Sequence, residues 1–208
     1  MMAANKNFLI TYKLFFALLG FSSIITEIAV LNDRGKFNPA NFFSYFTIEA
    51  NIIVVAVLMA SALFVRQGKS GSWMTFLRGA STFFITTVLV VFVFLLANIK
   101  NAEFTAVPWD NTVLHYIIPI VVLVDWLIDP PKVRIPYRRA FLWLLLPITY
   151  VTYSLIRGAI TGWYPYPFLD PSADGYAHVA VSIAPLLAFG AAMVWLLLRV
   201  PKISVKPN

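Results

Sequence analysis

Hydrophobic and polar positions in this chain fall into long blocks. Six apolar runs, at about 8–31, 43–65, 74–97, 111–128, 140–160 and 178–199, are separated by short polar stretches. Each run has about 18 to 24 residues, enough to cross a hydrocarbon core about 30 Å thick at 1.5 Å per residue. None alternates with the period of a barrel strand, and backbone groups in lipid must be bonded within their own segment. All six are therefore predicted to be helices. "NDRGKFNP", "RQGKSGS" and "DPPKVRIP" interrupt the pattern with glycine, proline and charge. The expected fold class is all-α: a polytopic membrane protein, a bundle of six transmembrane helices, with residues 1–208 as a single membrane domain.

Composition sharpens this picture. The chain is 60% hydrophobic and only 12% charged, too little polar surface for a soluble domain of 208 residues. The net charge of +7 would point to nucleic acid if the cations shared one face. Instead they lie in the short connections, where Lys and Arg report membrane orientation. Twelve (Lys6, Lys13, Arg66, Lys69, Arg78, Lys132, Arg134, Arg138, Arg139, Arg199, Lys202, Lys206) fall on one side. Four (Arg34, Lys36, Lys100, Arg157) fall on the other. That split alternates through every loop, so both termini are expected in the cytoplasm and no nucleic-acid partner is expected. The first run carries Lys13 and Glu27 and lacks a small-x-small cleavage site, so it is expected to stay as a span rather than leave as a signal peptide. The absence of Cys removes disulfides, thiolate metal sites and a cysteine nucleophile.

Ionisable groups inside spans are costly and mark an interior or a working site. Here they are few and share a depth. Taking 1.5 Å per residue, Thr47, His115, Glu27 and Arg157 each lie about 5–6 Å inside the outer ends of spans 2, 4, 1 and 5, with Glu49 and Asn51 about 9 and 12 Å deep. In "SYFTIEANII", Ser44, Thr47 and Asn51 form one helical stripe, while Glu49 faces elsewhere. Asn111 and His115 share a face of span 4, with Pro119 one turn deeper. Arg157 reads first as the partner of Glu27 or Glu49 in a structural charge pair. Asp125, near the cytoplasmic end, reads as pairing with the basic run Arg134–Arg139 or snorkelling. In "TGWYPYPFLDP", Trp163, Tyr164, Tyr166 and Phe168 suit an aromatic belt or, more sharply, a proline-stiffened lid over the polar layer. His178 either caps that layer or faces solvent.

A hydroxyl nucleophile needs a base within hydrogen-bond reach and donors aimed at the developing oxyanion. Thr47 and His115 match in depth and in chemistry, so Thr47 is the candidate nucleophile and His115 its general base. Asn51, Arg157 and Asn111 are candidate oxyanion donors, and Glu49 or Glu27 is the candidate to orient His115. The depth suits the ester carbonyl of a lipid whose chains stay in the bilayer. No cofactor is called for.

The stretches "YFTIEANI", "NTVLHYIIP", "VLVDWLIDP" and "GWYPYPFLDP" resemble the androgen-induced-gene family of six-span membrane proteins, above all its bacterial relatives. Animal members of that family are threonine hydrolases that cleave fatty-acid esters of hydroxy fatty acids with one Thr and one His. The resemblance implies Thr47 as nucleophile, His115 as its partner, a fatty-acyl ester as substrate and the bacterial cytoplasmic membrane as location. A small proton- or solute-conducting transporter built on the Glu/His/Arg cluster is the alternative, although a through-path should be lined at both depths. Zinc chemistry lacks its usual ligand set, since only His115 and His178 exist.

Overall fold

The computed structural model of the protein describes residues 5–99 and 104–204; Lys100 and Lys206 of the charge pattern, and the side chain of Lys202, lie outside the described residues. Six helices are long and apolar enough to cross a membrane: α1 (Lys6–Asp33), α2 (Phe46–Arg66), α3 (Ser72–Leu96), α4 (Pro108–Ile128), α5 (Tyr137–Thr161) and α6 (Gly175–Arg199). No strand occurs among the described residues. The chain is an all-α integral membrane protein.

Helix α3 is the most buried and packs against α2, α4 and α6, while α1 lies along α2 and touches α4. Its hydroxyls permit this burial because they bond back to their own helix. Ser81 and Thr82 donate to the Arg78 carbonyl at 3.0 and 2.8 Å, and Thr86 donates to that of Thr82 at 2.7 Å. The connecting residues 34–45, 97–99, 104–107 and 162–174 gather at one end of the bundle, the site end; 67–71 and 129–136 lie at the far end.

Two local features shape the site end. Asn38 caps a one-turn helix, Pro39–Phe42, by accepting from the Asn41 N–H at 3.1 Å. The chain then breaks, so α2 begins at Phe46 rather than at residue 43. In α4, Val113–Ile117 is a π-turn, closed by Ile118 N–H to Val113 O. Pro119 follows directly. It cannot donate to the His115 carbonyl four residues back and crowds it, which accounts for the widened turn.

At the far end the sequence expectation for Asp125 needs correction. It pairs not with Arg134–Arg139 but with Lys13 of α1 and Arg78 of α3. Lys13 also meets Asp129 at 3.1 Å, and Arg78 reaches Asp125 at 2.8 Å and Asp129 at 3.2 Å. Arg78 additionally donates to the backbone carbonyls of both aspartates. Two cations and two anions thus cancel inside the bundle, where either sign alone would be very costly. Lys13→Met leaves two aspartates against one arginine. The expected loss is about 3–5 kcal/mol of stability, read as a lowered unfolding midpoint in detergent micelles. An unchanged midpoint would mean the quartet is not a structural clamp.

Candidate active site

Thr47 is the second residue of α2, closer to the helix start than sequence spacing indicated. That position matters because the first N–H groups of a helix have no intrahelical acceptor. The Thr47 N–H instead donates to Tyr166 Oη at 3.3 Å. The Thr47 hydroxyl lies 3.3 Å from His115 Nε2 and 3.3 Å from Tyr166 Oη. All three side chains are buried, at 7%, 4% and 6% exposure, so the hydrogen bonds form away from bulk water.

The tautomer follows from the partners. His115 Nδ1 faces the Asn111 carbonyl at 3.2 Å, and a carbonyl only accepts, so Nδ1 carries the hydrogen. A neutral ring in that form turns its Nε2 lone pair toward Thr47. The Thr47 hydroxyl donates to it, and the Tyr166 hydroxyl donates to Thr47 Oγ1 in turn. Phe92, in a second π-turn over Phe92–Leu96, stacks on the imidazole at 4.0 Å and 24° and fixes its plane. Single π-turns recur at functional sites; here two of them meet through His115 and Phe92.

Several other candidates take different places from those expected. Asn51 is not an oxyanion donor: its Nδ2 is committed to the Thr47 carbonyl at 2.8 Å and the Leu114 carbonyl at 3.3 Å, so it ties α2 to α4 beside the site. Asn111 contributes its backbone carbonyl, and its buried Oδ1 has no partner among the described residues. Neither glutamate orients His115, whose Nδ1 partner is that carbonyl. Glu27 accepts from Ala106 N–H at 2.7 and 2.9 Å and so secures the approach to α4. Glu49 is half-buried, with no hydrogen bond or ion pair among the described residues. Arg157 pairs with neither glutamate; it donates to Asn41 Oδ1 at 2.6 Å and lies over Trp163 at 4.5 Å. Ser44, one residue before the helix cap, is buried and bonds Ala40 O at 2.6 Å and Tyr153 Oη at 2.8 Å. His178 is exposed and caps nothing.

The aromatic loop folds inward. Gly162, at φ +69°, ends α5 in the left-handed conformation and turns the chain back over the site end. Tyr164 then seats against Gly158, where a Cβ would collide with its ring. Trp163 meets Tyr45 edge-on at 5.6 Å, and Phe168 stacks on Tyr166 at 5.3 Å. This delivers the Tyr166 hydroxyl to Thr47. Burial pushes the Tyr166 phenol up to about 12, so it stays a neutral O–H donor at neutral pH.

The chain matches no family model, no curated protein and no solved structure. What the site can do therefore rests on its own geometry. Thr47 and Tyr166 stand where two cavities meet. One, of about 260 Å³, is almost wholly apolar and lined by Phe83, Val88, Val151, Ile183 and Gly190, among others. The other, of about 200 Å³, is lined by His115, Glu27, Arg34, Lys36 and Thr105 as well as apolar side chains. Asp110 sits behind it, fully buried, accepting from Ser23 at 3.1 Å. Sequence reading passed over Asp110 and Phe92. The first had a visible signal, an acid in the opening turn after Pro108; the second had none.

Proposed function

We infer that this protein is an integral membrane hydrolase of fatty-acyl esters. Thr47 is its nucleophile and His115 its general base. The observation that carries this reading is the Thr47 Oγ1–His115 Nε2 contact at 3.3 Å, with the ring's other nitrogen held by a backbone carbonyl. The resemblance of "YFTIEANI" and "NTVLHYIIP" to the androgen-induced-gene family points to the same two residues.

The chemistry follows in order. Thr47 Oγ1 attacks the ester carbonyl carbon as its proton passes to His115 Nε2. Negative charge develops on the carbonyl oxygen, and the Thr47 N–H at the start of α2 and the Tyr166 O–H turn to it from the bonds they make to each other's residues in the resting site. The C–O bond to the alcohol breaks, and His115 returns the proton to the departing oxygen. A water entering from the polar cavity then repeats the sequence on the acyl-threonine, giving the free acid and restoring the hydroxyl.

The two cavities suit the two halves of such an ester. The acyl chain occupies the apolar cavity, and the alcohol half lies toward Arg34 and Lys36. On the charge pattern, the site end faces away from the cytoplasm and both termini face it, in a bacterial cytoplasmic membrane. A conducting path has less support. Between the polar site and the Lys13–Asp125 quartet lie Val54, Leu58, Ile118 and Val122, all buried and apolar.

A fluorophosphonate probe tests the nucleophile directly: mass mapping of the labelled protein should find the adduct on Thr47. Labelling elsewhere, or none under conditions where ester is cleaved, would remove the assignment. Tyr166→Phe keeps the ring and its stacking but deletes one oxyanion donor. It should lower kcat by about 10²- to 10³-fold with a smaller change in KM. Unchanged kcat would restrict Tyr166 to packing.

A further inference from the structure

The apolar cavity is more particular in shape than ester hydrolysis alone requires. Helix α3 lines it from Leu96 to Phe83, about 20 Å along the axis at 1.5 Å per residue. It is therefore a channel parallel to the helices, with Thr47 at one end. At the other end Gly190 forms the floor with Leu144 and Phe83; a Cβ added to Gly190 would lie 3.0 Å from Leu144 Cδ2 and 3.5 Å from Phe83 Cζ.

One side of this channel is thin. Helices α5 and α6 are joined near the floor through Phe141–Leu144 and near the site end through Pro167–Leu169, which packs on both. Between these two clasps they barely approach each other. The channel wall there includes side chains such as Ile148 and Leu187, which line the cavity and are 45% and 49% exposed. A single layer of side chains separates the channel from the surface that faces lipid.

We propose that the seam between α5 and α6 is a lateral portal admitting one lipid acyl chain from the bilayer into this channel, and that Gly190 at its floor sets the longest chain accepted. The orientation fits the occupant. A chain in the channel lies along the membrane normal as it did in the leaflet, so it moves sideways without turning, and its carbonyl end arrives at Thr47. The catalytic readout of this inference rests on the esterase reading above, and the binding readout does not.

The test compares wild type, Gly190→Leu and Leu187→Trp in nanodiscs. Gly190→Leu raises the floor. It should reduce kcat/KM for a p-nitrophenyl palmitate by about 10-fold or more and leave the butyrate ester within about 2-fold, because each methylene that no longer fits carries its own discrimination. Leu187→Trp thickens the seam and should slow the palmitate ester while sparing the butyrate. Leu144→Ala, which deepens the floor, should shift preference toward longer chains and guards against a mere folding defect. Equal effects on both esters in all three variants would overturn the proposal. Immobilisation of a doxyl-labelled stearate, seen by spin resonance, separates the two readings. Binding in wild type that is lost in Gly190→Leu supports the channel even if no ester is cleaved, whereas cleavage with no chain-length change removes the channel and leaves the esterase.

Discussion

Thr47→Ala is expected to abolish turnover of a long-chain acyl ester, with kcat lower by about 10⁴-fold or more, as when the attacking oxygen of a hydroxyl hydrolase is removed. The reason is local. Among the described residues, Thr47 carries the only side-chain hydroxyl bonded to a histidine nitrogen, and it stands at the junction of both cavities. The substitution is small, and the lost hydrogen bonds cost about 1–3 kcal/mol, so the fold should survive. Thr47→Ser is the informative companion. It keeps the oxygen and the Tyr166 contact, and it should retain probe labelling and much of the turnover. If Thr47→Ala hydrolyses as well as wild type, Thr47 is a structural hydroxyl and the reaction lies elsewhere.

The parts of the fold that were legible from sequence are those governed by the bilayer. Membrane thickness sets the length of an apolar run, and the lack of water forces it to be helical, so each expected span agrees with an observed helix to within three residues. Depth was legible for the same reason. Helix rise alone places Thr47 and His115 at one level. Azimuth was not legible. Whether Arg157 meets a glutamate or Asn41 depends on how helices rotate against each other, which residue spacing does not report. The quartet at the far end makes the same point: Lys13 and Asp125 are 112 residues apart, and the nearer Arg134–Arg139 run was the plausible but wrong partner.

Two finer features were written in the chain but in a weaker script. Pro119 four residues after His115 signals a disturbed turn, yet a kink and a π-turn look alike in sequence. The "WYPYP" segment announces rigid aromatics without saying whether they face headgroups or the interior. Its inward turn depends on Gly162 in the left-handed region and on Gly158 making room for Tyr164. Hence Tyr166, expected as part of a lid, is found hydrogen-bonded to Thr47 itself.

His115→Gln should be the second most damaging change, lowering kcat by about 10²- to 10⁴-fold with KM little altered, because in the proposed reaction the imidazole moves protons and it does not line the apolar cavity. Glutamine can still hydrogen-bond Thr47 but cannot take its proton, so this variant separates orientation from base catalysis. Loss of phosphonate labelling at Thr47 should accompany the loss of turnover, since both need the alcohol activated. Phe92→Leu gives a graded control: it removes the ring stacked on His115 and keeps the base, so its effect should fall between wild type and His115→Gln. A transporter using His115 as a proton relay predicts the reverse pattern, with flux abolished by His115→Gln and unaffected by Thr47→Ala. Measuring both variants for ester cleavage and for proton flux in proteoliposomes therefore divides the two functions: paired loss of hydrolysis keeps the dyad, and a loss confined to flux removes it.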